Sequence, residues 1–332
     1  MKIRQVCFTE VKKVVYEEVE RDLAVGPQDV LIRTLYSVVS AGTELAKYTG
    51  LQDVKYPFVP GNRAVGEVIE VGKQVKDFRP GDRVFTHSTH ISHAKATKMC
   101  VKVPDGVNLC HAPLVGLALV AITAVRVGRP ELGDRALVTG MGLVGNFCAQ
   151  LLKHSGVDVI VADAEDARLK TARACGLDKT VNPKTEDARA KIMDFTNGHG
   201  VEYVVEATGN PAVMELATSV TAKQGEVILL GSPRGEHETD IVPLLNAVHL
   251  WRDHGSIVMK GAHEWRYPLY PDGFSKHSMA RNAEIIFRMM ADGRLKTEPL
   301  VTHVLKPEQA QEAFDGLLNR KNEYLGVVFD WT

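Results

Sequence analysis

The feature that most constrains the fold is a glycine-rich hexapeptide between a predicted strand and a predicted helix. The apolar run RALVTG leads into Gly140-Met141-Gly142-Leu143-Val144-Gly145, and LVGNFCAQLLKHSG follows with helical spacing. A second apolar run, DVIVAD, comes next and ends at Asp163. Two strands joined through a helix in this order are parallel. This part of the chain is therefore predicted to form a parallel sheet flanked by helices.

The same hexapeptide predicts a dinucleotide-binding turn. Gly140 permits the tight turn, Gly142 lets a pyrophosphate approach the backbone, and Gly145 allows the helix to pack closely on the strand. The helix N-terminus at Leu143 and Val144 offers N–H groups to the phosphates. A glycine-rich turn without a ligand is the alternative, but the flanking strand and helix favour the nucleotide site.

The acid that ends the second strand indicates which cofactor is bound. Asp163 lies 18 residues after Gly145 and can accept both hydroxyls of the adenosine ribose. Residues 164–167 are Ala-Glu-Asp-Ala, so a 2′-phosphate would meet carboxylates and no adjacent arginine. NAD is therefore expected rather than NADP. Arg168, one helical turn further on, either covers the adenine or is a solvated helix residue, and the second interpretation is preferred.

Composition excludes several other classes of partner. The 332 residues contain 40 Lys and Arg against 41 Asp and Glu, so no broad positive field attracts nucleic acid or an anionic membrane. The five cysteines never form CxxC, which argues against a disulfide framework or a four-cysteine zinc lobe. No signal-peptide pattern opens the chain, and the longest apolar stretch, residues 114–125, is too short to span a bilayer. A cytoplasmic enzyme or sensor with a small-molecule partner is expected.

Three segments are predicted along the chain. Residues 1–125 are β-rich, with strand-like runs VLIRTLYSVV, AVGEVIEVG and DRVFTH. Residues 126–262 alternate strand and helix, including the helix-like PAVMELATSVTA, the strand-like EVILLG and a last strand, SIVMKG. Residues 263–332 return to the first domain, with a helix near 279–292 and two strand-like runs, VTHVL and YLGVVFDW.

Nearly the whole chain resembles the medium-chain dehydrogenase/reductase family. The motifs that carry the resemblance are SAGTELAKYTG, VPGNRAVGEVIEVG, FRPGDRV, VPDGV, GMGLVG, VEATGNP, GEVILLGSPRG and PLVTHVLKPEQAQEAFDGLL. The resemblance implies an α/β protein with a GroES-like catalytic domain and a doubly wound Rossmann domain. It also implies a nicotinamide cofactor in the cleft between the domains, and hydride transfer to or from a carbonyl or alcohol carbon. Thr208, Gly231 and Ser232, which lie in matching motifs, are further candidate cofactor-binding residues.

The resemblance also exposes departures at the metal positions. In zinc-dependent members, the positions of Ala41 and Asn62 hold a cysteine and a histidine, and a third ligand is expected near Gly116-Leu117. The four-cysteine structural lobe expected after about Phe85 is replaced by THSTHISHAKATK. Because alanine, glycine and leucine cannot coordinate zinc and an amide is a poor ligand, a member without catalytic or structural zinc is expected.

One branch of the family shares this pattern. The combination of AGTEL, Gly-Asn-Arg and the short SHA segment is most similar to hydroxyethyl-bacteriochlorophyllide dehydrogenases and related sugar or cyclitol dehydrogenases. The pigment substrate is not carried over. Homodimers or homotetramers, formed through the sheet edge near SIVMKG, are expected from the family.

Without a metal, side chains must activate the alcohol. Thr43 matches the hydroxyl that touches the substrate oxygen, although a strand or turn threonine capping the backbone is an alternative. Glu44 is either a base or, preferably, part of a salt bridge. Arg63 and the Asn62 amide either stabilise a developing alkoxide, or Arg63 pairs with Glu44; the two interpretations are weighted equally. His90 is a candidate substrate-facing acid or base, against the default of a surface or core histidine.

Other polar clusters are weaker candidates. His87 and His93 flank the His90 segment, but three residues of spacing in a strand end and loop do not predict a zinc site. Lys47 is expected to be a solvated helix lysine. The aromatic stretch 263–270 suits sugar rings or a subunit contact.

The leading hypothesis is therefore a zinc-independent, NAD-dependent dehydrogenase of a secondary alcohol on a sugar, polyol or cyclitol-like molecule, placed in carbohydrate metabolism. The alternatives are an NAD(P)H-dependent quinone or enone reductase and a non-catalytic NAD-binding sensor. Asp163 argues against the reductase, and Thr43 with the complete phosphate loop argues for activity.

Overall fold

The structure is a computed structural model that describes residues 1–250 and 255–332. It contains two compact units, Met1–Leu117 with Tyr267–Thr332, and Ala118–Arg266. The predicted boundaries, after residues 125 and 262, lie a few residues away from these. The first boundary falls inside a continuous apolar helix, Val115–Gly128, so no break in the hydrophobic pattern marks it.

The described residues form fifteen strands and nine α-helices. The strands are β1 Lys2–Glu10, β2 Lys13–Glu20, β3 Val30–Val38, β4 Ala64–Val71, β5 Arg83–Thr86, β6 His93–Lys95, β7 Cys100–Lys102, β8 Arg135–Thr139, β9 Asp158–Ala162, β10 Thr180–Val181, β11 Val201–Glu206, β12 Thr221–Leu229, β13 Val258–Gly261, β14 Val301–Leu305 and β15 Gly326–Asp330. The helices are α1 Ala41–Tyr48, α2 Val115–Gly128, α3 Leu143–His154, α4 Asp166–Ala174, α5 Ala188–Phe195, α6 Val213–Val220, α7 Val242–His249, α8 Met279–Ala291 and α9 Ala310–Asn319.

The first unit is built on a mixed sheet. Its described strands run in the order β14-β15-β3-β4-β5-β7, with β6 also pairing with β3, and β1 and β2 form a separate antiparallel pair. The strand runs predicted in residues 30–39, 64–72 and 82–87 form β3, β4 and β5, each one or two residues shorter than predicted. Aromatic rings fill the core beneath α9, where Phe8 meets Phe314 edge-on with ring centroids 4.8 Å apart. This packing fixes α1, which contributes the buried Tyr48 to the same core.

The second unit is a parallel sheet covered by helices. Its described strands run in the order β10-β9-β8-β11-β12-β13, and every pair is parallel. The chain order reverses between β8 and β11, which is the doubly wound arrangement expected for dinucleotide-binding sheets. Strands β8 and β9 are almost wholly buried apolar runs, which is typical of parallel sheets flanked by helices, whereas the edge strand β13 is partly exposed. The predicted α/β fold class is confirmed.

One element differs from its prediction. Helix α6 ends at Val220, and β12 begins at Thr221, five residues before the predicted strand EVILLG. Thr221 pairs with Val201, and the register then shifts before Tyr203 meets Glu226. Helical spacing in the sequence continued past the true helix end because the irregular start of the strand carries no period-two pattern. None of the helices in the described ranges has the length and apolar character needed to cross a bilayer.

Candidate active site

The glycine hexapeptide forms the turn that its sequence predicts. Gly140 has φ +86°, a conformation that side chains disfavour. A Cβ at Gly145 would overlap the carbonyl oxygen of Gly140, whereas the space around Gly142 is open. Helix α3 begins at Leu143, so its first N–H groups, including that of Val144, have no acceptor within the helix. The loop thus offers free space and N–H donors where an anion would sit.

Asp163 is held against this loop. Its Oδ2 accepts the N–H of Met141 at 2.6 Å, and its Oδ1 accepts the N–H of Glu165 at 2.8 Å. The Arg168 guanidinium lies 3.7 Å from Oδ2. The expectation that no arginine adjoins this acid is therefore corrected, because α4 turns Arg168 back toward the end of β9. Arg168 is neither freely solvated nor remote from the ribose position.

A buried acid, Glu206, organises the neighbouring loops at the carboxyl edge of the sheet. Its carboxylate accepts the N–H of Thr208 at 2.6 Å, the Thr208 hydroxyl and the N–H of Gly209 at 3.1 Å. A Cβ at Gly231 would overlap the Gly209 nitrogen, and one at Gly209 would overlap the carbonyl oxygen of Ser232. A Cβ on the first glycine of the hexapeptide would lie 2.8 Å from the Thr208 side chain. The candidate cofactor residues of the two motifs therefore form one cluster, and Glu206 is a member that sequence reasoning missed.

Thr43 and Glu44 lie in the first turn of α1. Thr43 is thus a helix residue, and its half-buried hydroxyl has no hydrogen-bond partner in the described part of the chain. The alternative in which it caps a strand or turn is corrected. The Glu44 carboxylate is buried and accepts the N–H of Ser40 through Oε1 at 2.7 Å. An acid at this position also stabilises the helix through its dipole.

His90 is the second partner of Glu44, and its predicted orientation is corrected. The ring is 0% exposed; Nε2 lies 3.0 Å from Glu44 Oε2 and Nδ1 lies 2.8 Å from Ser37 Oγ. Trp331 donates its indole N–H to the same Ser37 oxygen at 2.9 Å. Both ring nitrogens therefore face protein groups, so His90 is a buried link and not a substrate-facing acid or base. Ser37 and Trp331 were not found from the sequence.

Arg63 is buried, at 2% exposed, and donates to the Oδ1 of Asn62. The carboxylate of Glu44 is taken by Ser40 and His90 within the described residues, so the proposed Arg63–Glu44 ion pair is corrected. The methylene chain of Arg63 packs on Gly116, where a Cβ would overlap Cδ and lie 2.6 Å from Cγ.

The residues at the expected metal positions do not fit zinc. Ala41, Asn62 and Gly116 offer no thiolate, imidazole or carboxylate. Burial raises the pKa of Cys100 and of Cys148 to about 12, which disfavours the thiolate that zinc requires. Residues 1–250 and 255–332 contain no group of three or more His, Cys, Asp or Glu side chains suited to hold a metal ion.

The weaker candidates take structural positions. The Lys47 ammonium lies 4.5 Å from the centre of the Phe58 ring, a cation–π contact. Tyr270 accepts the N–H of Cys100 at 3.0 Å, while Trp265 is exposed. The aromatic stretch 263–270 is therefore not a single cluster in one unit, since the two units divide within it.

The chain matches two families of protein domain and a set of curated dehydrogenases. Residues 26–127 match the alcohol dehydrogenase GroES-like domain, and residues 144–269 match the zinc-binding dehydrogenase family. L-threonine 3-dehydrogenase of Thermococcus kodakarensis is 30% identical across 92% of this chain and 91% of its own. Sorbitol dehydrogenase of Bacillus subtilis is 27% identical across 92% and 90%. The crystal structure of galactitol-1-phosphate dehydrogenase from Escherichia coli has the same fold, with TM-score 0.85, 16% identity and coverage of 98% and 99%.

Proposed function

Because the chain belongs to the zinc-type medium-chain alcohol dehydrogenase family, we propose that it is a zinc-independent, NAD-dependent dehydrogenase. Its substrate is a secondary alcohol on a sugar, polyol or cyclitol-like molecule. The names of its relatives, sorbitol, L-threonine and galactitol-1-phosphate dehydrogenases, support oxidation at a CH–OH group as the class of reaction. Because these names give three different substrates, the substrate of this chain has to be inferred from its own site residues.

The packing of Arg63 on Gly116 is the observation that carries the zinc-independent part of the proposal. A third metal ligand would have to extend from position 116, and the Arg63 methylenes fill that space. Ala41 and Asn62 remove the other two donors of the family pattern. A buried guanidinium next to the Asn62 amide supplies fixed positive charge in place of a Lewis acid.

The proposed cofactor site, in the second unit, fits a dinucleotide. The open space at Gly142 and the first N–H groups of α3 would hold the pyrophosphate, and Asp163 would accept the ribose hydroxyls. The loop that the Glu206 carboxylate holds carries Thr208, and it packs through Gly209 against the loop that carries Ser232. NAD, when bound, supplies the acceptor for the hydrogen and electron pair that leave the alcohol carbon.

The proposed substrate site, in the first unit, needs a hydroxyl donor or acceptor and a charge. The free Thr43 hydroxyl in the first turn of α1 is proposed to hold the substrate oxygen. Arg63 is proposed to stabilise the alkoxide that forms as the alcohol proton passes through the half-buried Thr43 hydroxyl to solvent water, which lowers the pKa of the bound alcohol. In the reverse direction the same two groups polarise the carbonyl.

A second candidate has one observation in its favour. Arg168 lies beside Asp163, and an arginine near this position accommodates the 2′-phosphate of NADP in some dinucleotide sites. This favours the NADPH-dependent reduction of a quinone or enone. The Asp163 carboxylate, already bonded to the glycine loop, opposes it by repelling the phosphate.

The test is metal analysis combined with turnover on the purified protein. We expect far less than one zinc per chain, NAD reduction with at least one member of a polyol panel, and no loss of that activity after chelation. Stoichiometric zinc whose removal abolishes activity would overturn the zinc-independent mechanism. Activity only with NADPH and a conjugated ketone would select the reductase, and tight NAD binding without any turnover would select the sensor.

A further inference from the structure

A chain of four buried side chains crosses the first unit and ends at the proposed substrate site. Trp331, Ser37, His90 and Glu44 are joined by successive contacts of 2.9, 2.8 and 3.0 Å. Each side chain belongs to a different segment, and none of the four is more than 7% exposed. Bulk water therefore cannot replace any of these hydrogen bonds while the unit is folded.

The three hydrogen bonds among these side chains are all donated in the same direction, from Trp331 toward Glu44. The Trp331 indole can only donate, so the Ser37 oxygen accepts from it, and the Ser37 hydroxyl hydrogen is free to go to His90 Nδ1. The Glu44 carboxylate can only accept, so His90 Nε2 carries the hydrogen between them. This assigns one tautomer to His90 from its partners. Every donor is then used, and the buried carboxylate receives a bond on each oxygen.

Glu44, whose carboxylate His90 holds in place, also fixes the first turn of α1. Its N–H donates to the carbonyl of Ser40 at 2.9 Å, while its side chain accepts the N–H of Ser40 at 2.7 Å. Two hydrogen bonds between Ser40 and Glu44 therefore close the turn that contains Thr43. A Glu44 side chain that lost its His90 partner would have to reorganise, and the turn would move with it.

His90 also touches the loop that carries the other proposed groups. Its N–H donates to the carbonyl of Pro60 at 2.8 Å. A Cβ at Gly61 would lie 2.6 Å from the His90 nitrogen and 2.8 Å from its ring. Asn62 and Arg63 follow directly. One buried imidazole therefore contacts both segments from which the proposed substrate groups project.

We propose that His90 is the positioning residue of the substrate site, holding the Thr43 turn through Glu44 and the Asn62–Arg63 loop through its own backbone and ring. Its contacts with Glu44 and with the carbonyl of Pro60 hold two chain segments at fixed positions relative to each other. The proposal rests on the proposed function only for the roles of Thr43 and Arg63. The tie itself is a property of the folded unit and can be measured without turnover.

The experiment compares His90→Gln with His90→Leu. The glutamine amide can keep the N–H that donates to Glu44, whereas leucine fills the space without donating. Because a displacement of about 1 Å in a reacting group costs about 10²-fold, we expect His90→Leu to lower kcat about 100-fold and His90→Gln to restore it to within about threefold of wild type. The KM for NAD should not change, since its proposed residues belong to the other unit.

The matched control is His111→Leu. It removes another histidine bond to a hydroxyl in the same unit, the 3.1 Å contact of His111 with Thr297, away from Glu44. Wild-type kcat is expected for this variant. Equal losses in His90→Leu and His111→Leu, or no rescue by His90→Gln, would mean that His90 acts only through general stability and would overturn the proposal.

A second measurement is independent of activity. Amide hydrogen exchange should become faster in residues 41–45 of His90→Leu, and stay at the wild-type rate in His90→Gln and His111→Leu. If His90→Leu does not fold, Ser37→Ala, which removes the hydroxyl bonded to Nδ1, should give the same change to a smaller extent. Unchanged exchange in these variants contradicts the tie. If wild type shows no turnover but exchange responds as expected, the positioning role stands and only the proposed reaction fails.

Discussion

Arg63 is the residue on which the proposed zinc-independent mechanism depends most. It is buried, charged, hydrogen-bonded to Asn62 and packed on Gly116. Arg63→Met keeps much of the packed chain and removes the charge. Since removing one transition-state donor costs about 10²–10³-fold in kcat, we expect a loss of that size in steady-state oxidation of the best alcohol, with the KM for NAD unchanged.

Arg83→Met is the control for this variant. It removes an arginine of the same unit whose partner is Glu67, and its kcat should match wild type. Wild-type turnover in a folded Arg63→Met protein would remove the electrostatic role and leave Arg63 as a packing residue.

Asp163 and Arg168, which lie beside each other, are the residues proposed to determine the preference between NAD and NADP. Asp163→Ala removes the ribose acceptor and leaves the Arg168 guanidinium, now 3.7 Å from a carboxylate, available to a 2′-phosphate. Because a hydrogen bond to a charged group is worth about 1.5–3 kcal/mol, the ratio of kcat/KM for NADP over NAD should rise at least about tenfold.

Adding Arg168→Ala to this variant should cancel the gain. Arg173→Ala is the control, because Arg173 lies in the same helix but bonds to Thr180. A gain that persists without Arg168 would show that the arginine takes no part in phosphate recognition.

Candidate residues could be predicted from the sequence when a local motif marked them, but not when they depend on a partner distant in sequence. Thr43, Glu44 and Arg63 could be proposed because they occupy motif positions. The partner of Glu44 could not, because His90 reaches it across the fold and is itself held by Ser37 and Trp331, residues 294 positions apart. Glu206 was within reach, since an acid ending a buried apolar strand needs partners in the following loop.

At the scale of elements, the Gly61 turn is the most constrained connection near the site. Its φ of +98° disfavours any side chain, and a Cβ would collide with His90. Gly61→Ala should lower the free energy of unfolding by at least about 1–3 kcal/mol, the cost of such a backbone conformation alone, measured by urea denaturation. Gly81→Ala has a similar φ of +93° with open space around it, so it isolates the backbone cost. Equal losses in the two variants would contradict the collision with His90.

The helices and strands differ in how well the sequence pattern predicts them. Most strands and helices of the second unit were predicted because period and turn residues are local properties, but helix α7 and the early start of β12 were not. Helix α2 hides a unit boundary because it is apolar along its whole length. The first turn of α1 was not recognised as helical, since Gly42 and Thr43 have weak helix preference and the Glu44 carboxylate holds the turn through the Ser40 N–H.

At the scale of the whole molecule, the exposed edge of the parallel sheet is the proposed site of self-association. β13 is the last described strand of that sheet, and Val258 on it is 46% exposed. Neighbouring α7 exposes further apolar side chains, Ile241, Val242, Leu245 and Val248. Two copies joined edge to edge would cover the outer edge of β13, which pairs with β12 on its other side.

Val258→Lys should convert a dimer or tetramer into smaller species in light scattering. Val304→Lys, which charges an equally exposed valine on strand β14 of the other unit, should leave the mass unchanged. A monomeric wild-type protein would contradict this mode of assembly.

The contact between Arg63 and Gly116 has a consequence for the history of such a site. A metal-ligating side chain cannot be introduced at position 116 while the arginine chain lies there, so substitution at position 63 has to come first. That first step would remove the fixed charge before any zinc could bind, so the intermediate would lack both proposed means of stabilising an alkoxide. On the proposed mechanism, a metal site at this position would therefore be reached in one order of substitutions, position 63 before position 116.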